Sequence, residues 1–175
     1  KYEPKEYNIT YIVDGKADTT TGNPATYIYK KGVNGFVDVS KEGYTFDGWY
    51  DAATGGKKVE SISTSDKEAK TFYARFTICT ANLTLDDDGG NGGEAVSYTL
   101  TYGQDMPAIT TLPTKEGYTF LGYYLNETKY VNADKSWVNV TGVIDGGEWK
   151  SIDDSLKLKA QWTPISYEIR FNNNT

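Results

Sequence analysis

The chain has no histidine, one cysteine, one methionine and five prolines in 175 residues. The missing imidazole removes Ser-His-Asp and Cys-His nucleophile systems and the usual zinc sites. A lone Cys79 cannot close an internal disulfide and is expected to be a small apolar filler where two halves of the chain meet. Apolar runs never approach the roughly 20 residues of a spanning helix. Neither an initiator Met nor a signal peptide opens the sequence, so targeting information is expected to lie outside it. Positive charge is in the minority: 18 Lys and Arg stand against 24 Asp and Glu, a net charge of −6. Phosphate backbones and anionic lipids are bound by clustered Lys and Arg, so no nucleic-acid partner and no direct membrane insertion is expected. No cofactor or metal is expected either.

Aromatics are abundant instead, with 15 Tyr, 6 Phe and 4 Trp, and they are not scattered. Lys41-Glu42-Gly43-Tyr44-Thr45-Phe46 recurs letter for letter as Lys115-Glu116-Gly117-Tyr118-Thr119-Phe120, a spacing of 74 residues. Each copy runs on into an aromatic turn, Gly48-Trp49-Tyr50 and Gly122-Tyr123-Tyr124. Tyr7 to Tyr11 aligns with Ala81 to Leu85 in the same frame, and Asp14-Gly15 falls on Asp88-Gly89. Ala74-Arg75-Phe76-Thr77 returns 86 residues later as Ala160-Gln161-Trp162-Thr163, so the second copy carries 12 extra residues. A fixed period of this kind marks a string of one small module. The frame predicts a tail and linker of a preceding copy over 1–6, a first module over 7–77, and a second over 78–163 with an insertion near 130–150. Residues 164–175 then read as a linker and the first strand of a third copy. On that reading the sequence is a piece of a longer tandem array. Three-residue linkers with Pro4 and Pro164 are expected to limit bending. The apolar junction Ile78-Cys79-Thr80 is expected to bring the two full modules closer together.

Within a module the pattern alternates with period two, the mark of half-buried strands. Ile9, Tyr11 and Val13 share a face, as do Leu83 and Leu85, and Ile169 and Phe171. Val96, Tyr98, Leu100 and Tyr102 alternate with Ser and Thr. Phe72, Ala74 and Phe76 alternate with Tyr73 and Arg75, and Leu156, Leu158, Ala160 and Trp162 with Lys157, Lys159 and Gln161. This predicts a mainly β (α+β) fold of four to five short strands per module, joined by Gly-rich turns. At most one short helix per module is expected, with 32–39, 61–69, 103–112 and 151–155 as the segments that could hold one. Gly43 and Gly117 predict a turn before the Tyr-Thr-Phe strand, and Gly48 and Gly122 a bulge within it. Modules this small bury only ~60% of their unfolded surface; aromatic side chains, at ~150–250 Å² each, are the expected compensation.

The string Gly43-Tyr44-Thr45-Phe46-Asp47-Gly48-Trp49-Tyr50, followed by Phe72-Tyr73-Ala74-Arg75-Phe76, resembles the Listeria–Bacteroides repeat family, which includes the B repeat of internalin-type surface proteins. Copy two departs from the motif at Tyr123, where the motif has Trp, and in its expansion around Trp137 to Trp149. The resemblance implies a β-grasp-like module strung along secreted or wall-attached bacterial proteins, with a spacer or interaction role and no catalytic residues.

Several features invite a chemical reading. Asp86-Asp87-Asp88-Gly89-Gly90-Asn91 has the oxygen-rich, Gly-rich character of a calcium loop, but its spacing is not that of an EF-hand, and a solvated turn is the simpler expectation. Flat aromatic faces stack on sugars, and Trp49, Tyr50, Tyr123, Tyr124, Trp137 and Trp149 are the candidates; most are expected to pack in the core or between strands instead, and Trp137 and Trp149 either cover the extra loop or form an exposed patch. Of these, Tyr123, Tyr124, Trp137 and Trp149 form the candidate ligand face of the second module. The expected function is therefore a non-catalytic spacer or stalk segment of a bacterial cell-surface or secreted protein, an adhesin among the possibilities. A monomer is expected. The alternative is a module that binds a surface protein or a glycan through exposed aromatics of the second copy.

Overall fold

The computed structural model describes residues 3–94, 97–153 and 155–171. Among these the chain is built of strands and turns with no helix. It divides into two compact units, Lys1–Ile78 and Cys79–Thr175.

In the first unit, β1 (Glu6–Val13), β2 (Lys16–Ala17), β3 (Thr26–Ile28), β4 (Tyr44–Tyr50), β5 (Lys58–Val59) and β6 (Lys70–Ile78) form a sheet of order β2-β1-β6-β4-β5, with β3 also paired to β1. The first and last strands lie side by side and parallel, Ile9 opposite Lys70 through Ile12 opposite Tyr73. The alternation read from the sequence sets the faces: Ile9 and Tyr11 are buried while Asn8 and Thr10 are exposed. Asp14 and Gly15 both take positive φ and close a two-residue hairpin to β2, the geometry Asp-Gly favours.

The second unit repeats this plan. β7 (Thr80–Asp86), β8 (Ser97–Thr101), β9 (Tyr118–Leu125), β10 (Thr128–Asn132) and β13 (Ser155–Pro164) form a sheet of order β10-β9-β13-β7-β8. β7 and β13 are again the parallel central pair. The expansion supplies a separate ribbon of β11 (Ile144–Asp145) and β12 (Glu148–Trp149). Backbone bonds tie it to the segment after β8: Gly103 N donates to Trp149 O (2.7 Å), Trp149 N to Gln104 O (2.9 Å) and Met106 N to Gly147 O (2.8 Å).

The turn and the bulge expected from the repeated glycines are both present. Gly43 and Gly117 have φ of 76° and 75°, and behind them Tyr44 N and Tyr118 N each donate to a lysine carbonyl three residues back, Lys41 and Lys115. Gly48 and Gly122, at φ 132° and 138°, sit where β4 and β9 slip register against β6 and β13. The extra residue turns two side chains three positions apart onto one face. Phe46 and Trp49 thus meet edge to face with centroids 5.7 Å apart, and Phe120 and Tyr123 at 5.2 Å.

Each unit closes its own core. The first packs Ile9, Tyr11, Tyr27, Trp49, Ile62 and Phe72. The second is larger, because Tyr130, Val131, Ile144 and Trp149 from the expansion join Leu83, Leu100, Tyr123, Leu156 and Leu158. Among the described residues none of the four segments weighed for a helix is helical. Instead of forming helical turns, the segments 32–39 and 61–69 pair with each other: Val33 and Ile62 exchange two backbone bonds (3.0 and 2.9 Å). Val96 lies outside the described residues. Residues 165–171 form no strand, and Tyr167, Ile169 and Phe171 are exposed. β1 and β7 are each held by a parallel partner that closes their unit, and no such strand follows among the described residues.

Candidate functional site

Each unit carries an open cleft at the same place. Six matched positions line both: Asp14 and Asp88, Lys41 and Lys115, Tyr44 and Tyr118, Tyr73 and Lys159, Ala74 and Ala160, Phe76 and Trp162. The volumes are about 600 and 670 Å³, within the range of small-ligand sites. The local sequence explains the construction. The Asp-Gly turn ends the first strand, the Lys-Glu-Gly-Tyr turn opens β4 or β9, and the aromatic near the end of the last strand lies between them.

In the first unit the Lys41 ammonium lies 2.7 Å from Asp14 Oδ1 and stands over two rings, 4.4 Å from the Tyr44 centroid and 5.6 Å from that of Phe76. The hydrogen bond to Asp14 raises the lysine's pKa above its ordinary value. In the second unit Lys115 keeps its place over the rings, 4.9 Å from Tyr118 and 5.6 Å from Trp162, but its ammonium donates to the Asp88 backbone carbonyl (3.1 Å). The Asp88 carboxylate pairs instead with Lys159 at 2.7 Å, an ion pair that lowers the acid's pKa and raises the base's.

Of the ligand residues expected from the sequence, the cleft takes one. Tyr124 is half-buried and lines it. Tyr123 is fully buried, its hydroxyl donating to Asp87 Oδ1 at 2.7 Å. Trp149 is equally buried and covers the core from β12. Trp137 leans against the same core with its indole N–H donating to Pro107 O at 2.7 Å. Tyr123 and Trp149 therefore present no face to a ligand, and the sugar-stacking reading does not hold for them. In the first unit Trp49 is buried and donates to Val37 O (3.0 Å), while the Arg75 guanidinium lies 3.8 Å over the Tyr50 ring. Sequence reasoning missed Tyr118, Trp162 and Lys115. For Lys115 and Tyr118 the signal was the repeated Lys-Glu-Gly-Tyr itself, read for its turn and not for its side chains; for Trp162 it was the recurrence of Ala74-Arg75-Phe76-Thr77 as Ala160-Gln161-Trp162-Thr163.

The departure at Tyr123 has a local cause. Trp49 occupies this position in the first unit, where Val13 stands at the matched site of the first strand; in the second unit that site is Asp87. The half-buried carboxylate accepts the Tyr123 hydroxyl and the Gly93 amide (3.2 Å), so the smaller aromatic gains a polar anchor. Burial and Asp87 together push the Tyr123 pKa well up. The neighbouring acids are also engaged, Asp86 Oδ1 by Asp88 N (2.9 Å) and Asp88 by Lys159. Among the described residues no group of three or more acidic, Cys or His side chains is arranged to hold a metal.

Glu94 is a buried carboxylate, and 74 residues earlier the first unit has Thr20. It accepts from the hydroxyls of Tyr98 and Thr110 and from the amides of Thr110 and Thr111. These donors, the Thr110 and Tyr98 hydroxyls foremost, lower its pKa to about 2.

A family model described as the Listeria-Bacteroides repeat domain matches residues 7–75 and 82–144, one match in each unit. The chain belongs to the Listeria-Bacteroides repeat family. Internalin H of Listeria monocytogenes is 34% identical over 158 residues, which is 90% of this chain and 25% of that protein. Two proteins of Evansella cellulosilytica, provisionally named as a membrane protein and a Gly-rich membrane protein, are each 24% identical over 99% of this chain and 24% and 18% of their own length. The chain thus spans a quarter or less of these relatives. No solved structure matches it. Read on this repeat pair, the family motif encodes the bulged strand, and the two clefts are what it leaves open to solvent.

Proposed function

We propose that the chain is a non-catalytic spacer segment of a bacterial cell-surface protein. The observation that carries this reading is the duplication of a closed unit: two sheets of the same order, each with its own aromatic core and the same glycine bulge. A module that satisfies its core alone can be added in series without redesign. The much greater length of the relatives, an internalin among them, supports a place within a long exported chain. The shared central order, β2-β1-β6-β4 in the first unit and β8-β7-β13-β9 in the second, with a parallel middle pair, supports the β-grasp-like description, with irregular crossovers where that fold carries its helix.

The test is scattering from chains of two, four and six units. A spacer gives a maximum dimension that grows in proportion to unit number; growth as the cube root would reject the reading. Antibody labelling of intact cells of the source organism checks location, with labelling only after lysis as the contrary result.

A further inference from the structure

The two clefts share a frame but not a charge. In the first unit, Lys41 is neutralised by Asp14. The positions matching Lys157 and Lys159 are Thr71 and Tyr73, and among the described residues no further cation lines that cleft. In the second, Lys115, Lys157 and Lys159 line the cleft with Asp88 as the acid facing them. Asp88 balances Lys159, while Lys115 spends its hydrogen bond on a neutral carbonyl and keeps its charge. Lys157 projects from the solvent face of β13. A chain of net charge −6 thus concentrates surplus positive charge in one open groove.

The rest of the lining suits the same occupant. Tyr118 is 41% exposed and Trp162 and Tyr124 are half-buried, so ring surface faces the groove. Asn126 and Gln161 add amide donors and acceptors at one end, the Gln161 amide donating to Asn126 O at 3.2 Å. Aromatic surface beside amides and ammonium groups, in an open groove and not an enclosed cavity, matches a linear polymer of sugar rings that bear anionic groups. A small apolar ligand would leave the ammonium groups unanswered, and a neutral glycan would make no use of them.

We propose that the cleft of the second unit binds an acidic polysaccharide, with sugar rings against Tyr118 and Tyr124 and their carboxylate or sulfate groups on Lys115 and Lys157. The first unit keeps the same cradle closed by its own ion pair and does not bind. This site is independent of the spacer reading, since a spacer need bind nothing and a binding unit need not be repeated.

The test uses the 175-residue chain and four probes by titration calorimetry: heparin, hyaluronate, neutral dextran and duplex DNA. Binding to heparin, to hyaluronate or to both, weakening as salt rises, is the expected result, and the preferred probe tells sulfate from carboxylate. Lys157→Glu should weaken that binding about fivefold, the worth of one exposed charge pair. Tyr118→Ser should weaken it about three- to tenfold, the worth of one aromatic contact. Both sites are on the surface, and unchanged melting curves keep the readout separate from folding. The proposal is overturned if neither acidic glycan binds, if dextran or DNA binds as well as they do, or if both variants bind like the parent.

Discussion

Gly122 lies against the carbonyl oxygen of Val131 so closely that a Cβ at position 122 would overlap it. Its counterpart Gly48 meets only the flexible end of the Lys58 side chain. Both hold φ values that suit glycine, 138° and 132°. Gly48→Ala is expected to cost about 1–2 kcal/mol in backbone strain alone. Gly122→Ala adds a clash with a backbone that cannot step aside, for about 3 kcal/mol or more. Hydrogen exchange resolved to β4 and β9 separates the two; equal loss of protection would refute the asymmetry.

The Tyr123–Asp87 pair predicts a coupling. Asp87→Val strands a buried hydroxyl and should cost about 1–3 kcal/mol, whereas adding Tyr123→Phe removes the stranded donor and should recover part of that loss. A double-mutant cycle by denaturant unfolding is expected to show a coupling of about 1 kcal/mol. Simple additivity would mean that the hydrogen bond contributes nothing.

Glu94 makes the second unit acid-sensitive in a defined window. Its folded pKa is depressed to about 2 from an ordinary 4.5. The stabilisation is therefore complete above pH 4.5 and drains away as the pH falls toward 2. Glu94→Gln should be less stable at neutral pH and lose less across that window. Parallel melting curves for parent and variant from pH 5 to pH 2 would count against the carboxylate's role.

Alkaline titration gives a third reading of burial. Burial pushes the Tyr11 hydroxyl up to about 12, and the hydrogen bond to Glu94, aided by burial, does the same for Tyr98. Tyr123 and Tyr130 are raised as well, both chiefly by burial. Phenolate absorbance should therefore fall short of all 15 tyrosines at pH 11 in the folded chain and reach full value only on unfolding. A complete titration with the fold intact would contradict the packing described for these rings.

Much of the architecture was legible in the sequence because period-two alternation and repeated glycines are local signals. Leu156, Leu158 and Ala160 point inward as their spacing says, and the doubled Gly48 and Gly122 announced the bulge. The candidate site was harder to read. Once the register slips at Leu121, neighbouring aromatics exchange faces, so Tyr123 goes to the core and Tyr124 to the cleft. Nothing in the letters of two adjacent tyrosines distinguishes them. Trp149 was open to both packing and ligand roles for a related reason, and it packs. The expansion looked like an appended loop, but β11 and β12 fold back and contribute core. The crossovers read as either a short helix or an irregular segment because small polar residues tolerate both states, and long-range pairing such as Val33 with Ile62 decides.

The side-by-side placement of first and last strands has a consequence for a chain under load. Because β1 and β6 run parallel, tension enters at one end of the pair and leaves at the other, and the strands must slide past each other to part. Their bridging bonds then bear the pull together instead of opening one at a time. The paired stretch covers Ile9 to Ile12 in the first unit and extends from Asn82 to Asp86 in the second. When the ends of the chain are drawn apart, the first unit should therefore be the one to yield.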